Sequence, residues 1–409
     1  MVNIADIVLD RYSPLEMAQI MNGADTSVMD DGYNDYGDVQ ADFGYSNMAV
    51  PMGFTEMACM SFDHRENLLW VVDKSGHVLS YYRVVLQVYS RFFWPLDKND
   101  TEAHSIVPTS DHVIVIGKCT IAAFSRGGVP EYFYRSDLLT DLSCAHWDPY
   151  TNLLFLGGSQ DTIVVYDIEI RSERNVIPIK EGSASIIRTT ERYLVSASED
   201  GKLTVRSKDL MNYNLIAQTQ AHLGKVVDFD VHATYLVCCG MSKKSNGTLV
   251  FDNFLKVYDV RNLNPQIPIP FNRHPTVCKF VGIDSLNEEK VVVTSGPMLF
   301  LVDILENKLT GLGSLPVPAS HLCASDSHQA IAVGMGECPP MVQLFWTEDE
   351  DPPFSICDID PIFPAEDEKD IPIPYDAPTP LATFPLRYCP GMDYCSDRWP
   401  DVLMRRRFL

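Results

Sequence analysis

The sequence predicts an all-β protein, a closed seven-bladed β-propeller, on three observations. Apolar runs of strand length alternate with polar or Gly-containing turns, several runs close on an aromatic residue, and the pattern recurs at a near-constant interval. In FLKVYDVRNL, residues 254–263, Leu255, Val257 and Val260 alternate with Lys256, Tyr258 and Asp259 until an Arg-Asn pair breaks the run. Alternation sends successive side chains to opposite faces of a strand. An aromatic-Asp ending suits the third strand of a propeller blade.

The same unit ends at Tyr82, Phe124, Tyr166, Arg206, Tyr258, Val302 and Phe345, at intervals of 40 to 44 residues apart from one of 52. Blades of about 40 to 45 residues repeat at this period. Seven units fill roughly residues 50 to 347. Gly157, Gly158, Gly201, Gly240, Gly296 and Gly334 fall at strand ends, where turns need positive φ or close backbone approach. Small residues such as Ser196, Ala197 and Ser198 let neighbouring blades pack face to face. A lone blade exposes two apolar faces, so the alternating apolar residues are read as core.

Composition brackets this ring with two unlike segments. Residues 1–50 hold nine acids against the single Arg11 and read as an acidic N-terminal extension, with the propeller over 51–347. Residues 348–409 carry eleven of the chain's 27 prolines, which delete amide donors and favour extended chain. The aromatic residues Phe354, Phe363, Tyr375, Phe384, Tyr388 and Trp399 make this linker a candidate partner-binding strap rather than a plain spacer. Whether the ring closes through a strand from residues 40–56 or through the last blade alone stays open.

The formal net charge is −23, so a phosphate backbone is repelled and direct nucleic-acid binding is not expected. Arg405-Arg406-Arg407 is read as solvated tail. The N-terminus carries acids where a secretory leader needs a basic start, and no apolar run is long enough for a membrane span. A cytoplasmic chain with no membrane partner is expected. Its 11 cysteines, several in apolar strands, are then free thiols, and the sequons at Asn99 and Asn246 carry no weight.

No catalytic constellation, cofactor motif or metal site is expected. The pair Cys389 and Cys395, and Cys238-Cys239 with His232, lack zinc spacing. The acidic runs 348–351 and 366–368 lie in Pro-rich chain and are read as solvated. His64, His146, His222 and His274 stand near blade starts, where a structural hydrogen bond is the ordinary role.

Two stretches are more specific than a generic blade. VDFDVHATYLVCCG (227–240) and FLKVYDVRNLNP (254–265), separated by a longer turn, resemble the fifth blade of the N-terminal WD40-like propeller in the large subunit of the PAN poly(A)-nuclease family of mRNA deadenylases. The residues carrying the resemblance are Asp228, Asp230, His232, Phe254, Leu255, Lys256, Tyr258, Asp259 and Arg261. Weaker matches are LLWVVDKSGHV (68–78), YSRF (89–92), SRGG (125–128), LLTD (138–141) and RWP (398–400).

The resemblance implies a non-catalytic scaffold. In the family the propeller helps engage a pseudokinase-bearing regulatory subunit and, indirectly, the mRNA tail coated by poly(A)-binding protein, while the linker binds the regulatory subunit. The family's metal-dependent 3′ exonuclease lies beyond an inactive ubiquitin-hydrolase-like domain, and none of its catalytic residues has a matching position here. No RNA degradation is expected of this chain. The fifth-blade insertion, residues 241–253, and the Pro-rich tail are the candidate contact regions. The alternatives are a generic interaction propeller of another cytoplasmic complex, and an enzyme using acids or histidines that converge on the ring's central channel.

Overall fold

A computed structural model describes residues 43–45, 50–51, 56–94, 100, 102–179, 182–209, 212–244, 246–281, 290–336, 340–347 and 352–362. Six complete meanders of at least four antiparallel strands fill blades 1 to 6, at residues 57–93, 103–134, 142–178, 186–220, 226–270 and 275–314. Blade 7 takes three strands from 321–347. All seven endings noted in the sequence fall within the third strand of a blade, from His77–Tyr82 in blade 1 to Met341–Thr347 in blade 7. Innermost strands pack on one another in a closed cycle in which Met57–Phe62 touches both Ala103–Pro108 and His321–Ala324. The seven-bladed propeller is therefore observed.

Second strands are not alternating. Leu68–Asp73, Leu153–Gly158 and Ala330–Met335 are buried along their whole length, because each lies between two neighbouring blades and has no solvent face. The interblade layers are apolar: Trp70, Phe92, Trp94 and Phe124 fill the seam of blades 1 and 2, while Val237, Leu255, Phe271 and Val293 fill that of blades 5 and 6.

Ring closure uses the N-terminal side of the chain. Phe43–Tyr45 pairs antiparallel with Met341–Thr347, placing Phe43 opposite Thr347 and Tyr45 opposite Phe345, and Val50–Pro51 pairs with the start of the same strand. The fourth strand of blade 7 thus comes from before blade 1. Of the two closures left open by the sequence, the strand from residues 40–56 is the one formed, and the ring draws on residues ahead of 51.

Buried ion pairs pin the seams. Asp63 is fully buried, accepts the Trp70 indole N–H at 2.9 Å and pairs with Arg126 of blade 2, which also donates to the Thr109 carbonyl at 2.8 Å. Asp148 of blade 3, also fully buried, meets the Lys208 ammonium of blade 4 at 2.5 Å. Removing one partner strands a charge away from water, which costs far more than an exposed pair is worth. Asp148→Ala is expected to destabilise the ring by about 3 to 5 kcal/mol in urea unfolding, the usual cost of a buried orphan charge. A loss below about 1 kcal/mol, the range of an exposed pair, would show that the staple is dispensable.

Candidate functional site

The 52-residue interval arises because the turn between the second and third strands of blade 5 grows into a hairpin. Tyr235–Lys243 runs past its neighbour strand and pairs with Leu249–Phe251, with Met241 opposite Phe251 and Lys243 opposite Leu249. The chain returns to the blade where the Asp252 amide donates to the Gly240 carbonyl at 2.9 Å, and the third strand, Phe254–Asp259, begins.

Polar contacts at the hairpin root hold it upright. The Asp252 carboxylate lies 2.6 Å from His222 Nδ1 and 3.4 Å from the Lys256 ammonium, and Lys256 also donates to the Ala221 carbonyl at 2.6 Å. The other ring nitrogen of His222 is 3.5 Å from the Cys238 thiol. Burial, reinforced by Lys256, lowers the His222 pKa, so the imidazole stays neutral. Burial works against the Asp252 charge, but hydrogen bonds from Ser242 and His222 and the Lys256 charge outweigh it and hold the carboxyl below its usual range. Gly201 in the preceding blade permits the close packing of this corner: its φ is +88°, and a Cβ there would meet the His222 and Gly224 carbonyl oxygens at 2.1 Å.

Most of the residues that carry the family resemblance do structural work. Asp228 accepts the Cys278 amide at 3.1 Å and Asp230 the Phe280 amide at 2.9 Å, tying blade 5 to blade 6. Arg188 of blade 4 lies 3.5 Å from both carboxylates, and Lys279 is 3.5 Å from Asp228. His232 sits against the Phe280 ring, Leu255 is fully buried, and Tyr258 is buried in the seam with blade 4. Asp259 binds the Arg261 side chain and amide, an interaction that lowers its pKa and shapes the local turn. Phe254 differs: it is 44% exposed beside the hairpin. Arg188 and Lys279 escaped sequence reasoning because nothing local marks them; only ring closure brings blades 4, 5 and 6 to one point.

That convergence bears on the channel-enzyme alternative. Asp228 and Asp230 are each engaged by a backbone amide and by Arg188, and among the described residues no group of three or more His, Cys, Asp or Glu side chains could hold a metal. The histidines behave structurally as well: His64 pairs with Asp326, His146 meets Thr189 Oγ1 at 3.0 Å, and His274 stacks on Phe251 at 4.5 Å.

A second surface lies on the opposite face, where the turns between first and second strands emerge. Residues 352–362 fold back over blade 1. Asn67, fully buried in the first turn of that blade, accepts the amides of Phe354 at 2.9 Å and Ser355 at 3.3 Å and donates to Asp358 and Asp360, both at 2.9 Å. Arg83 pairs with Asp360 at 2.9 Å and Asp358 at 3.3 Å. Phe354 corrects an expectation. The sequence places it in the partner-binding strap, yet it is fully buried, edge-on to Phe62 at 4.8 Å, because this stretch completes the apolar layer between blades 7 and 1. The other strap candidates, Phe363, Tyr375, Phe384, Tyr388 and Trp399, lie outside the described residues.

Comparison with known proteins agrees with this architecture. A family model described as PAN2 N-terminal matches residues 44–342. The chain is 26% identical over 384 residues to the PAN2-PAN3 deadenylation complex catalytic subunit PAN2 of Homo sapiens, covering 88% of this chain and 30% of the relative. It is 29% identical over 236 residues to the same subunit of Gallus gallus, covering 58% of this chain and 19% of the relative. The chain thus spans under a third of the length of these relatives. Among solved structures, the Neurospora crassa Pan2 WD40 domain superposes with a TM-score of 0.65 at 19% identity, covering 74% of this chain and 91% of that one.

Two outcomes test these surfaces. Phe354→Ala is expected to destabilise the ring by about 3 kcal/mol or more, as for other buried Phe truncations. Ile362→Ala, at an 89% exposed position, should change stability by less than about 0.5 kcal/mol. Urea unfolding of both variants decides whether 352–362 belong to the ring. At the hairpin root, an opened state takes up a proton below the ordinary His222 value of 6.5 that the closed state refuses, so closure weakens as pH falls through that value. Hydrogen exchange at residues 241–253, corrected for intrinsic rate, should accelerate by at most about tenfold per pH unit below it, and His222→Gln should flatten the dependence.

Proposed function

Because the chain belongs to the PAN2 N-terminal family, we propose that it is a non-catalytic scaffold region of a poly(A)-specific mRNA deadenylase complex. The observation that carries this reading is the family match across residues 44–342 of a closed ring, in which Asp228, His222 and Asp252 are held in structural contacts. A rigid ring of this kind supplies turn faces and strand edges to protein partners while contributing no chemistry.

In this reading the propeller and the linker position the deadenylase through protein contacts. The linker binds a pseudokinase-bearing regulatory subunit, and the ring helps address the poly(A) tail through the proteins coating it, in the cytoplasm. Relatives bearing the name of PAN2-PAN3 complex subunits support a partner of that kind. The clasp at Asn67 and Arg83 adds a mechanical reason. It fixes where residue 362 leaves blade 1, so a partner held by the following residues is held at a defined place on the ring.

The test compares the full chain with residues 1–362 for capture of the regulatory subunit from the same species, alongside poly(A) degradation with added magnesium. Capture by the full chain but not by 1–362, with no shortening of poly(A), is the expected result. Equal capture would move the contact onto the ring, and absence of capture by either would remove the deadenylase reading.

A further inference from the structure

The hairpin of blade 5 brings exposed positive charge, exposed apolar side chains and an open strand edge together at one place. The whole chain carries a net charge of −23, yet Lys243 and Lys244 are exposed here and form no ion pair among the described residues. The neighbouring charges are already balanced: Lys225 lies 3.5 Å from Glu199, Lys202 lies 3.0 Å from Asp200, and Asp252 is taken by His222 and Lys256. Lys243 and Lys244 therefore stand as two adjacent uncompensated positive charges on the hairpin.

Apolar side chains accompany them. Leu223, Leu249 and Phe254 are 67%, 49% and 44% exposed. Leu249 reaches to within 2.8 Å of where a Cβ on Gly224 would lie, which joins the hairpin to Leu223 in the connection from blade 4. On the other side His274 stacks on Phe251, while the adjacent Arg273 extends its side chain over Gly296 of blade 6. Burying such side chains against a partner contributes about 25 cal/mol per Å², so leaving them in water is costly unless something covers them.

The backbone is available too. Leu249–Phe251 pairs with Tyr235–Lys243 alone among the described strands. The ladder bonds run from the Lys244 amide to the Thr248 carbonyl and from the Asp252 amide to the Gly240 carbonyl. Antiparallel bonds alternate, so the N–H and C=O groups of Leu249 and Phe251 face the open edge.

We propose that this hairpin is a docking site for an extended acidic peptide carrying apolar residues, which adds as a strand along Leu249–Phe251. Its carboxylates face Lys243 and Lys244, and its apolar side chains cover Leu223, Leu249 and Phe254. Strand addition supplies affinity through main-chain bonds, and the side chains supply selectivity. An RNA strand fits less well: base stacking needs a succession of exposed aromatic rings, and Phe251 and His274 are stacked on each other here, beside the exposed Phe254. The proposal rests on the scaffold reading only in treating the ring as an interaction platform.

The test is selection of random 12-residue peptides by display on the full chain, immobilised through its C-terminus, followed by affinity measurements on the selected peptides and on an A15 oligonucleotide. The expected peptides place Asp or Glu around Leu or Phe. Their affinity should fall at least tenfold in Lys243→Glu/Lys244→Glu and in Leu223→Ser/Leu249→Ser, and with rising salt. Peptides N-methylated at alternate positions should lose binding, as edge addition requires. Unchanged thermal unfolding of these surface variants excludes misfolding as the cause. Failure to select peptides, basic peptides, peptides indifferent to the charge reversals, or tighter binding of A15 that depends on the same lysines would each overturn the proposal. Capture of the regulatory subunit by the charge-reversed chain separates this outcome from failure of the deadenylase reading, since that contact is assigned to the linker.

Discussion

Everything in this protein depends on covering both faces of every blade. Leu68–Asp73 or Ala330–Met335 would expose apolar side chains on two sides if its neighbour were removed, so no blade is stable in isolation and the first must meet the last. Both sides of the chain contribute to that closure. Residues ahead of blade 1 supply backbone hydrogen bonds to Met341–Thr347, while residues behind blade 7 bring Phe354 to rest on Phe62. The first contribution is a strand ladder, directional and cheap to form once the ring is nearly closed. The second is a buried aromatic ring seated by the side chain of Asn67.

Since the blade faces are spent on one another, recognition is left to the turns and the outer edges. The meander divides these between two sides of the ring. On one side Asn67 and Arg83 anchor the segment leading into the Pro-rich linker; on the other the blade 5 hairpin carries its lysines and leucines. A ring built this way can hold one partner by its tail and address another through the opposite face without the two contacts competing for surface.

The ring itself was legible because the third strand of each blade repeats in kind and in spacing, and the hairpin was legible as the one interval that broke the spacing. Other features were hidden for specific reasons. Proline content signals extended chain but not what that chain lies on, so Phe354 read as a free aromatic when its amide is held by Asn67, 287 residues earlier. Phe43–Tyr45 is three residues long and sits at the edge of an acidic segment, too short to show a period. Asp228 and Asp230 stood out as distinctive, but the reason for their presence lies in Arg188, Lys279 and the amides of Cys278 and Phe280, which belong to other blades. Most of the residues marked by the resemblance hold the ring together.

The central claim is that the strand contributed from ahead of blade 1 closes the ring. Hydrogen exchange across Met341–Thr347 and Leu68–Asp73 tests it most directly, comparing the full chain with one lacking residues 1–41 and one lacking residues 1–51. Slow exchange should persist in the first truncation, while the second should lose protection in both strands together, because opening the last blade uncovers its neighbour. Equal protection in all three chains would contradict the account and show that blade 7 and the 352–362 clasp close the ring unaided.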